Sequence, residues 1–261
     1  MTCRTIKLEV DQRGVATLTL SVPEKHNAMS SQMIHEITDA AASLAVDETV
    51  RAVILTGEGK SFCAGGDLEW MKAQFAADRE TRIEEAMKLA TMLRDLNELP
   101  KPLIGRVNGQ AYGGGIGMMS VCDIAIGVEE AKFALTETRL GLIPATISPY
   151  VIAKMGEGNA RQVFMSGKRF AGAEAVSLGL LAKSVASEDL DKAVEAEVMP
   201  YLSTAPGAVM RAKKLARSLG PRIDEAVMLD TAQQLADCWE SAEAHEGISA
   251  FLSKQKPTWQ S

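Results

Sequence analysis

The sequence predicts an α/β fold, with a strand-rich α/β core over residues 1–195 and a helical C-terminal region over 196–261. Three observations point there. Short apolar or alternating runs recur along the first part of the chain, and helix-spaced apolar patterns separate them. Two glycine-rich turns, Phe62-Cys63-Ala64-Gly65-Gly66-Asp67 and Tyr112-Gly113-Gly114-Gly115, each lie between a strand pattern and a helix pattern. From Ser148 onward the pattern is mostly helical, with one further short strand near 181–185.

Taken in order, residues 5–10 and 15–21 alternate like strands, with Arg13-Gly14 as the hairpin turn. A polar loop, Pro23-Glu24-Lys25-His26-Asn27-Ala28, leads to Ser30 and Ser31, which suit the cap of a helix with Met33, Ile34, Ile37, Ala41 and Leu44 on one face. Residues 51–56 (RAVILT) are nearly all apolar, as in a strand covered on both faces. Residues 57–66 read as a loop, and a short helix begins at Leu68. Residues 73–82 are mixed and fairly polar, which suggests a mobile stretch, and an amphipathic helix then runs to Asn97 with Ala86, Leu89, Met92 and Leu93 inward. Pro100 and Pro102 bracket the start of a strand over 103–108. After the glycine triplet and its helix come strands at 124–128 and 132–134, then the segment 135–144 (LTETRLGLIP). Residues 206–219 read as a helix with proline in its first turn. A second helical stretch opens at Pro221 and reaches towards Lys254, with Ile223, Val227, Leu235, Cys238 and Trp239 on one stripe. The helical part shows no core of its own, so it must pack on the core domain or on a neighbour.

The 261 residues suffice for one large domain, or for a core plus a small appendage. With 34 acidic against 28 basic side chains the net charge is −6, which argues against a nucleic-acid surface but leaves room for a local cationic site. The four cysteines (Cys3, Cys63, Cys122, Cys238) are scattered, form no CxxC pair and do not cluster with the three histidines. That pattern speaks against zinc and for reduced thiols in the cytoplasm. The N-terminal residues lack the apolar region of a signal peptide, and Asp123 interrupts the best candidate for a membrane span. A soluble, cytoplasmic protein with no membrane partner is expected.

A glycine run between strand and helix lets a ligand approach the backbone, because no Cβ stands in the way. It also aims free N–H groups at that ligand from the helix N-terminus. Tight helix–strand packing explains a lone triplet equally well, but two such loops can supply two convergent N–H groups.

With these residues in view, the chain resembles the crotonase (enoyl-CoA hydratase/isomerase) superfamily over nearly its whole length. Four stretches, 23–29, 61–67, 107–123 and 136–144, carry the resemblance by their order and spacing. It implies a spiral of ββα units followed by a helical trimerisation region, assembled as a homotrimer or a hexamer built as a dimer of trimers. It implies no prosthetic group and a coenzyme A thioester as substrate. The shared chemistry is stabilisation of a thioester enolate by two backbone N–H groups, each worth ~3–4 kcal/mol in the transition state. Residue by residue, these fall at Gly66 and Gly114, with glycine rather than the more usual alanine at the first position. Coenzyme A is expected along Lys25, His26 and Ala28 and across Ala64, Gly66, Asp67 and Leu68. Phe251 and Lys254 match a tail motif that approaches it from a neighbouring subunit. Lys25 or Lys254 can pair with the phosphates, or either can simply be solvated.

Hydration of an enoyl thioester ordinarily uses two glutamates. The resemblance matches one to Glu137, whose weakly polar surroundings would raise its pKa towards working pH. At the other position stands Gly117, which has no side chain. One explanation is a Δ3/Δ2-enoyl-CoA isomerase, for which a single carboxylate suffices. Another is a hydratase in which Glu137 does both jobs or another group helps. Tyr112 is near enough to consider, although apolar packing is its simpler role. The wording of 62–71, 96–102 and 139–150 resembles bacterial methylglutaconyl-CoA hydratases, which favours hydration of a branched or dicarboxylic enoyl-CoA in fatty acid or branched-chain amino acid degradation. A second carboxylate on the substrate would need a cation, and Arg139 and Lys72 are the nearest candidates. A non-catalytic acyl-CoA-binding protein of the same fold remains a rival. A nucleotide-binding enzyme is a weaker one, because the glycines do not spell a phosphate-loop or dinucleotide pattern.

Overall fold

The computed structural model describes residues 3–260. The alternating N-terminal runs fold as a hairpin: β1 (Ile6–Val10) pairs antiparallel with β2 (Val15–Leu20), Ile6 facing Leu20. Helix α1 (Ser31–Val46) starts where Ser30 Oγ accepts the Met33 N–H at 3.2 Å, and its expected apolar face is buried. Then follow β3 (Ala52–Gly57), β4 (Ser61–Cys63), α2 (Leu68–Ala76), α3 (Arg79–Glu98), β5 (Leu103–Val107), β6 (Gln110–Tyr112), α4 (Gly114–Val121), β7 (Ile124–Val128) and β8 (Lys132–Ala134). A 3-10 turn over Glu137–Leu140 leads into α5 (Ser148–Met155), α6 (Glu157–Phe164), β9 (Phe170–Ala171), α7 (Gly172–Ser177) and β10 (Lys183–Val185). The chain ends in α8 (Leu190–Leu202), α9 (Pro206–Ser218), α10 (Glu225–Trp239) and α11 (Ala242–Leu252).

Two sheets take the strands in turn. One has the order β1-β2-β3-β5-β7-β10 and the other β4-β6-β8-β9. Between β3 and β8 each pair of consecutive strands therefore sends one strand to each sheet, and a helix or turn follows. All pairings are parallel except β1 with β2 and β8 with β9. This is the expected spiral of ββα units. Parallel strands covered on both faces read as continuous apolar runs, which is why β3, β5 and β7 were legible.

Several expectations are corrected. Strand β4 (SFC) lies within the stretch read as loop and β6 (QAY) falls on residues with no expected element, because three residues carry no periodicity. Residues 73–82 are not mobile: they complete α2 and begin α3. Buried Arg82 donates to the carbonyls of Gln74 (2.9 Å) and Phe75 (3.1 Å), capping the C-terminus of α2, and its guanidinium lies 5.7 Å from the Trp239 ring centroid. The long C-terminal helical stretch is two helices. Residues 221–224 stay outside them, and Ser241 caps α11 by accepting the Ala244 N–H at 3.1 Å. The division of the chain into 1–195 and 196–261 falls inside α8, and its residues 1, 2 and 261 lie outside the described residues.

The C-terminal helices cover their own core. Helix α10 packs along α3, and α11 packs on the turn at Glu137–Leu140, with Leu142, Trp239, Ala244 and Ile248 as a second small core. Helix α9, by contrast, buries none of its residues, and its Met210 and Leu215 are 40% and 61% exposed.

The N-terminal hairpin is tied to α1 by buried Glu36. Its carboxylate accepts the N–H groups of Arg4 and Thr5, both at 2.9 Å, together with Thr5 Oγ1 and Gln32 Nε2. Burial alone would raise its pKa, but these donors outweigh burial and hold it at about 2, against 4.5 for a free glutamate. A lowered carboxylate pKa contributes stability above the unfolded value that is lost as pH falls through the folded one. Glu36→Gln is therefore expected to lower the melting temperature at pH 7. It should also flatten the acid-side loss of stability between about pH 4.5 and 2, measured by thermal melts across that range. An unchanged acid limb would show that Glu36 does not fix the hairpin.

Candidate active site

The two glycine turns come together because β4 and β6 are parallel neighbours in the small sheet, so the loops that follow them leave the same edge. At the first loop, Met29 bridges the backbone: its N–H donates to Gly65 O (2.7 Å) and its carbonyl accepts from Asp67 N (2.8 Å). Successive groups of an extended chain point to opposite sides, so the Gly66 N–H faces away from Met29, and no acceptor among the described residues takes it. At the second loop Gly113 has φ +47°, a conformation costly for a side-chain-bearing residue. Its own N–H is taken by Ala134 O at 3.1 Å, and its carbonyl accepts from Ile116 and Gly117. The N–H of Gly114, at the first position of α4, has no intrahelical acceptor. Gly66 and Gly114 thus present two free donors to one cavity, about 470 Å³ in volume, which both residues line.

Glu137 opens the 3-10 turn after β8 and faces that cavity. Its Oε1 would lie 2.9 Å from a Cβ at Gly113, so the glycine makes room for the carboxylate beside the N-terminus of α4. Oε2 is sealed from solvent with no hydrogen-bond partner among the described residues. Burial dominates its electrostatics and pushes the pKa up to about 7, with a small opposing effect from its own backbone. A carboxyl group with that pKa can both take and give a proton near neutral pH. The other walls are apolar: Trp70 and Met71 from α2, Leu89 from α3, Leu142, Ile143 and Ile147 after the turn, and Leu235 and Trp239 from α10. Trp70 is fixed by its Nε1 donating to Glu85 Oε2 at 3.2 Å.

Gly117, where the resemblance expects a second acid, is buried in α4. A Cβ there would meet Ile147 Cγ2 at 2.6 Å. Since α5 packs on α4, the start of α5 lays an aliphatic side chain over the place a carboxylate would occupy. The second acid is absent and its space is filled.

Of the residues expected to bind the coenzyme, Ala64, Gly66 and Phe251 line the cavity. Phe251 does so within its own chain, at the end of α11. Lys25, His26, Ala28, Asp67 and Leu68 do not line it; the first four are tied by hydrogen bonds to one another or to the loop that borders it. His26 O accepts from Ala64 N at 3.0 Å, and His26 Nδ1 lies 2.9 Å from Ser61 Oγ. Ala28 N–H donates to Lys25 O at 3.1 Å, and exposed Lys25 pairs with buried Asp67 at 3.0 Å. Asp67 also caps α2 by accepting from Glu69 and Trp70; burial works against its ionisation, but Lys25 and the two N–H groups hold its pKa below the usual value. Leu68 is largely exposed, and Lys254 is exposed just beyond α11 with φ +56°. Arg139 lines the cavity mouth, its stem crossing Gly167, with no carboxylate partner among the described residues. Lys72 does not line the cavity and is paired with Glu69 at 2.8 Å, so of the two expected cations only Arg139 is in place. Tyr112 lines the cavity, and its hydroxyl donates to Gln110 Oε1 at 3.2 Å. Sequence reasoning missed Thr146 and Ile147. A polar residue in the otherwise apolar run Leu142–Ile147 is the one local sign that Thr146 matters.

The chain is also similar to known proteins over nearly its whole length. The family model described as enoyl-CoA hydratase/isomerase matches residues 10–261. A Bacillus subtilis protein named a probable enoyl-CoA hydratase is 32% identical over 257 residues, covering 97% of each chain. The crystal structure of an enoyl-CoA hydratase from Shewanella pealeana is 35% identical with a TM-score of 0.81, covering 99% of this chain and 97% of that one. Another, from Mycobacterium smegmatis, is 33% identical with a TM-score of 0.80 and covers 99% and 100%. With the spiral fold, the paired glycine donors and the buried glutamate, the chain belongs to the enoyl-CoA hydratase/isomerase family of the crotonase superfamily.

Proposed function

We propose that this enzyme adds water across the 2,3 double bond of an enoyl-CoA, with Gly66 and Gly114 as the oxyanion pair and Glu137 as the acid/base. The observation that carries the reading is the unpartnered Glu137 carboxylate, held against Gly113 in the cavity into which both free N–H groups open. The thioester oxygen accepts from the two N–H groups, which stabilise the enolate. Glu137 takes one proton from water as the water oxygen bonds to C3 and the π electrons move into the enolate. The same proton then passes to C2, and Glu137 returns to its ionised form. One carboxylate thus serves both steps. Coenzyme A lies along Lys25, His26, Ala28, Asp67 and Leu68, with Ala64, Phe251 and Lys254 beside it.

The apolar plug over Gly117 favours a second reading, Δ3/Δ2-enoyl-CoA isomerisation, in which Glu137 moves a proton between C2 and C4. For the acyl group, the lone cation Arg139 at the mouth supports a branched or dicarboxylic chain such as 3-methylglutaconyl. Exposed apolar side chains on α9 support assembly as a trimer or a dimer of trimers. The four free cysteines support a reducing compartment, the cytoplasm.

Glu137→Gln is expected to lower kcat/KM by about 10³-fold while the Kd for a CoA ester changes by no more than about threefold. Activity retained within about tenfold would remove Glu137 from the chemistry. With crotonyl-CoA, 3-methylglutaconyl-CoA and a 3-enoyl-CoA side by side, 3-hydroxyacyl-CoA products are expected. Double-bond migration with no hydroxy product would replace hydration by isomerisation. Arg139→Ala should lower kcat/KM for the dicarboxylic substrate about tenfold more than for crotonyl-CoA, and equal losses would sink the dicarboxylate assignment.

A further inference from the structure

Glu137 is not alone in the cavity in lacking a partner. Thr146, in the turn before α5, lines the same cavity, is 4% exposed, and its Oγ1 has no hydrogen-bond partner among the described residues. The nearby carbonyl that serves a hydroxyl in this turn, Ala145 O, is already occupied: it accepts both Ser148 Oγ (2.7 Å) and Ser148 N (3.0 Å). Among the other polar side chains of the wall, Thr136 is only half-buried, and Gln255 and Gln260 are exposed. Trp70 Nε1 is held by Glu85, the Tyr112 hydroxyl by Gln110, and Arg139 is exposed.

An orphaned hydroxyl in an apolar wall is destabilising relative to valine, which has the same shape and no polar atom. Its place there is accounted for by a guest that completes its hydrogen bonding. Among buried side-chain atoms of the described residues, the cavity holds two that are unsatisfied, Glu137 Oε2 and Thr146 Oγ1, in mainly aliphatic and aromatic surroundings. The guest that suits both is small and has hydrogens to give and lone pairs to accept. Water fits, since a buried water needs two to four polar partners. The neighbouring residue, Ile147, covers Gly117 and so closes the position from which a second carboxylate would act. Thr146 stands beside that plug.

We propose that the Thr146 hydroxyl is the second hydrogen-bond partner of the attacking water, replacing in position, though not in proton transfer, the acid missing at Gly117. The proposal rests on Glu137 being the acid/base. Glu137 accepts the hydrogen that will be transferred, and Thr146 Oγ1 accepts the other. As the water oxygen bonds to C3, the first O–H bond breaks and its proton goes through Glu137 to C2. The second hydrogen stays on the product hydroxyl, still held by Thr146. Thr146 is a positioning residue: it fixes where the water sits and leaves enolate formation untouched.

The test compares wild type, Thr146→Val, Thr146→Ser and Glu137→Gln in two reactions. One is hydration of crotonyl-CoA. The other is exchange of the α-hydrogens of 3-butenoyl-CoA in D2O, which needs the donor pair and Glu137 but no added water. Thr146→Val is expected to lower kcat for hydration about 10- to 100-fold, with KM and the exchange rate within about twofold of wild type and a melting temperature no lower. Thr146→Ser should restore hydration to within about threefold. Unchanged hydration in Thr146→Val, or hydration and exchange falling together with the melting temperature, overturns the proposal. Glu137→Gln is expected to lose both reactions. If it keeps both, the acid/base reading itself fails, and the water site with it.

Discussion

The site depends on holding one carboxylate in an apolar cavity beside a helix N-terminus. Moving the Glu137 pKa from 4.5 to about 7 corresponds to about 3 kcal/mol of preference for its neutral form. Because the shift is upward, that contribution to stability is present below the unfolded pKa and is lost as pH rises through about 7. The scaffold must tolerate a charged, desolvated group whenever the carboxylate is ionised. It does so through α4, buried from Gly115 to Val121, and through α11, which packs on the turn that carries Glu137, while Leu235 and Trp239 of α10 line the same cavity. The C-terminal helices therefore have a direct chemical consequence: they shield Glu137 from bulk solvent.

The same packing explains the single carboxylate. Helix α4 and its N-cap have glycine at 113, 114, 115 and 117, and each faces a different neighbour: the Glu137 carboxylate, the Met29 side chain, the Cys63 backbone and Ile147. The first two leave the donor and the acid exposed to the cavity. The last is a steric choice, in which a small residue on α4 accepts a branched one from α5. Where the resemblance expects a second acid, the wall is apolar, and Glu137 is the one carboxylate lining the cavity among the described residues. Glu137 has no anionic neighbour in the cavity among the described residues, so burial dominates its pKa against a lowering effect from its own backbone.

Much of this was legible in the sequence because the signals are local. Glycine-rich turns between strand and helix, continuous apolar runs for β3 and β5, and serine ahead of α1 each reflect a backbone requirement met within a few residues. Glu137 was found because it stands in a motif. What escaped was long-range or aperiodic. Strands β4 and β6 are three residues long, below the length at which alternation can register. The polar stretch at 73–82 looked mobile, yet Arg82 turns that polarity into a cap for α2 and a lid over Trp239. Ile147 over Gly117 could not be foreseen, since it follows from how α5 lies on α4 and not from either segment alone. Thr146 gave one local sign, a hydroxyl in an apolar run.

The most direct test of the account is the ionisation of Glu137 itself. Carboxyl 13C chemical shifts can be followed against pH in the free enzyme, with Glu137→Gln to assign the resonance. Burial in the apolar cavity predicts a titration near pH 7. A Glu137 carboxyl that titrates below about pH 5, like a solvated glutamate, would mean that the carboxylate is open to bulk solvent and that this residue cannot serve as both acid and base near neutrality.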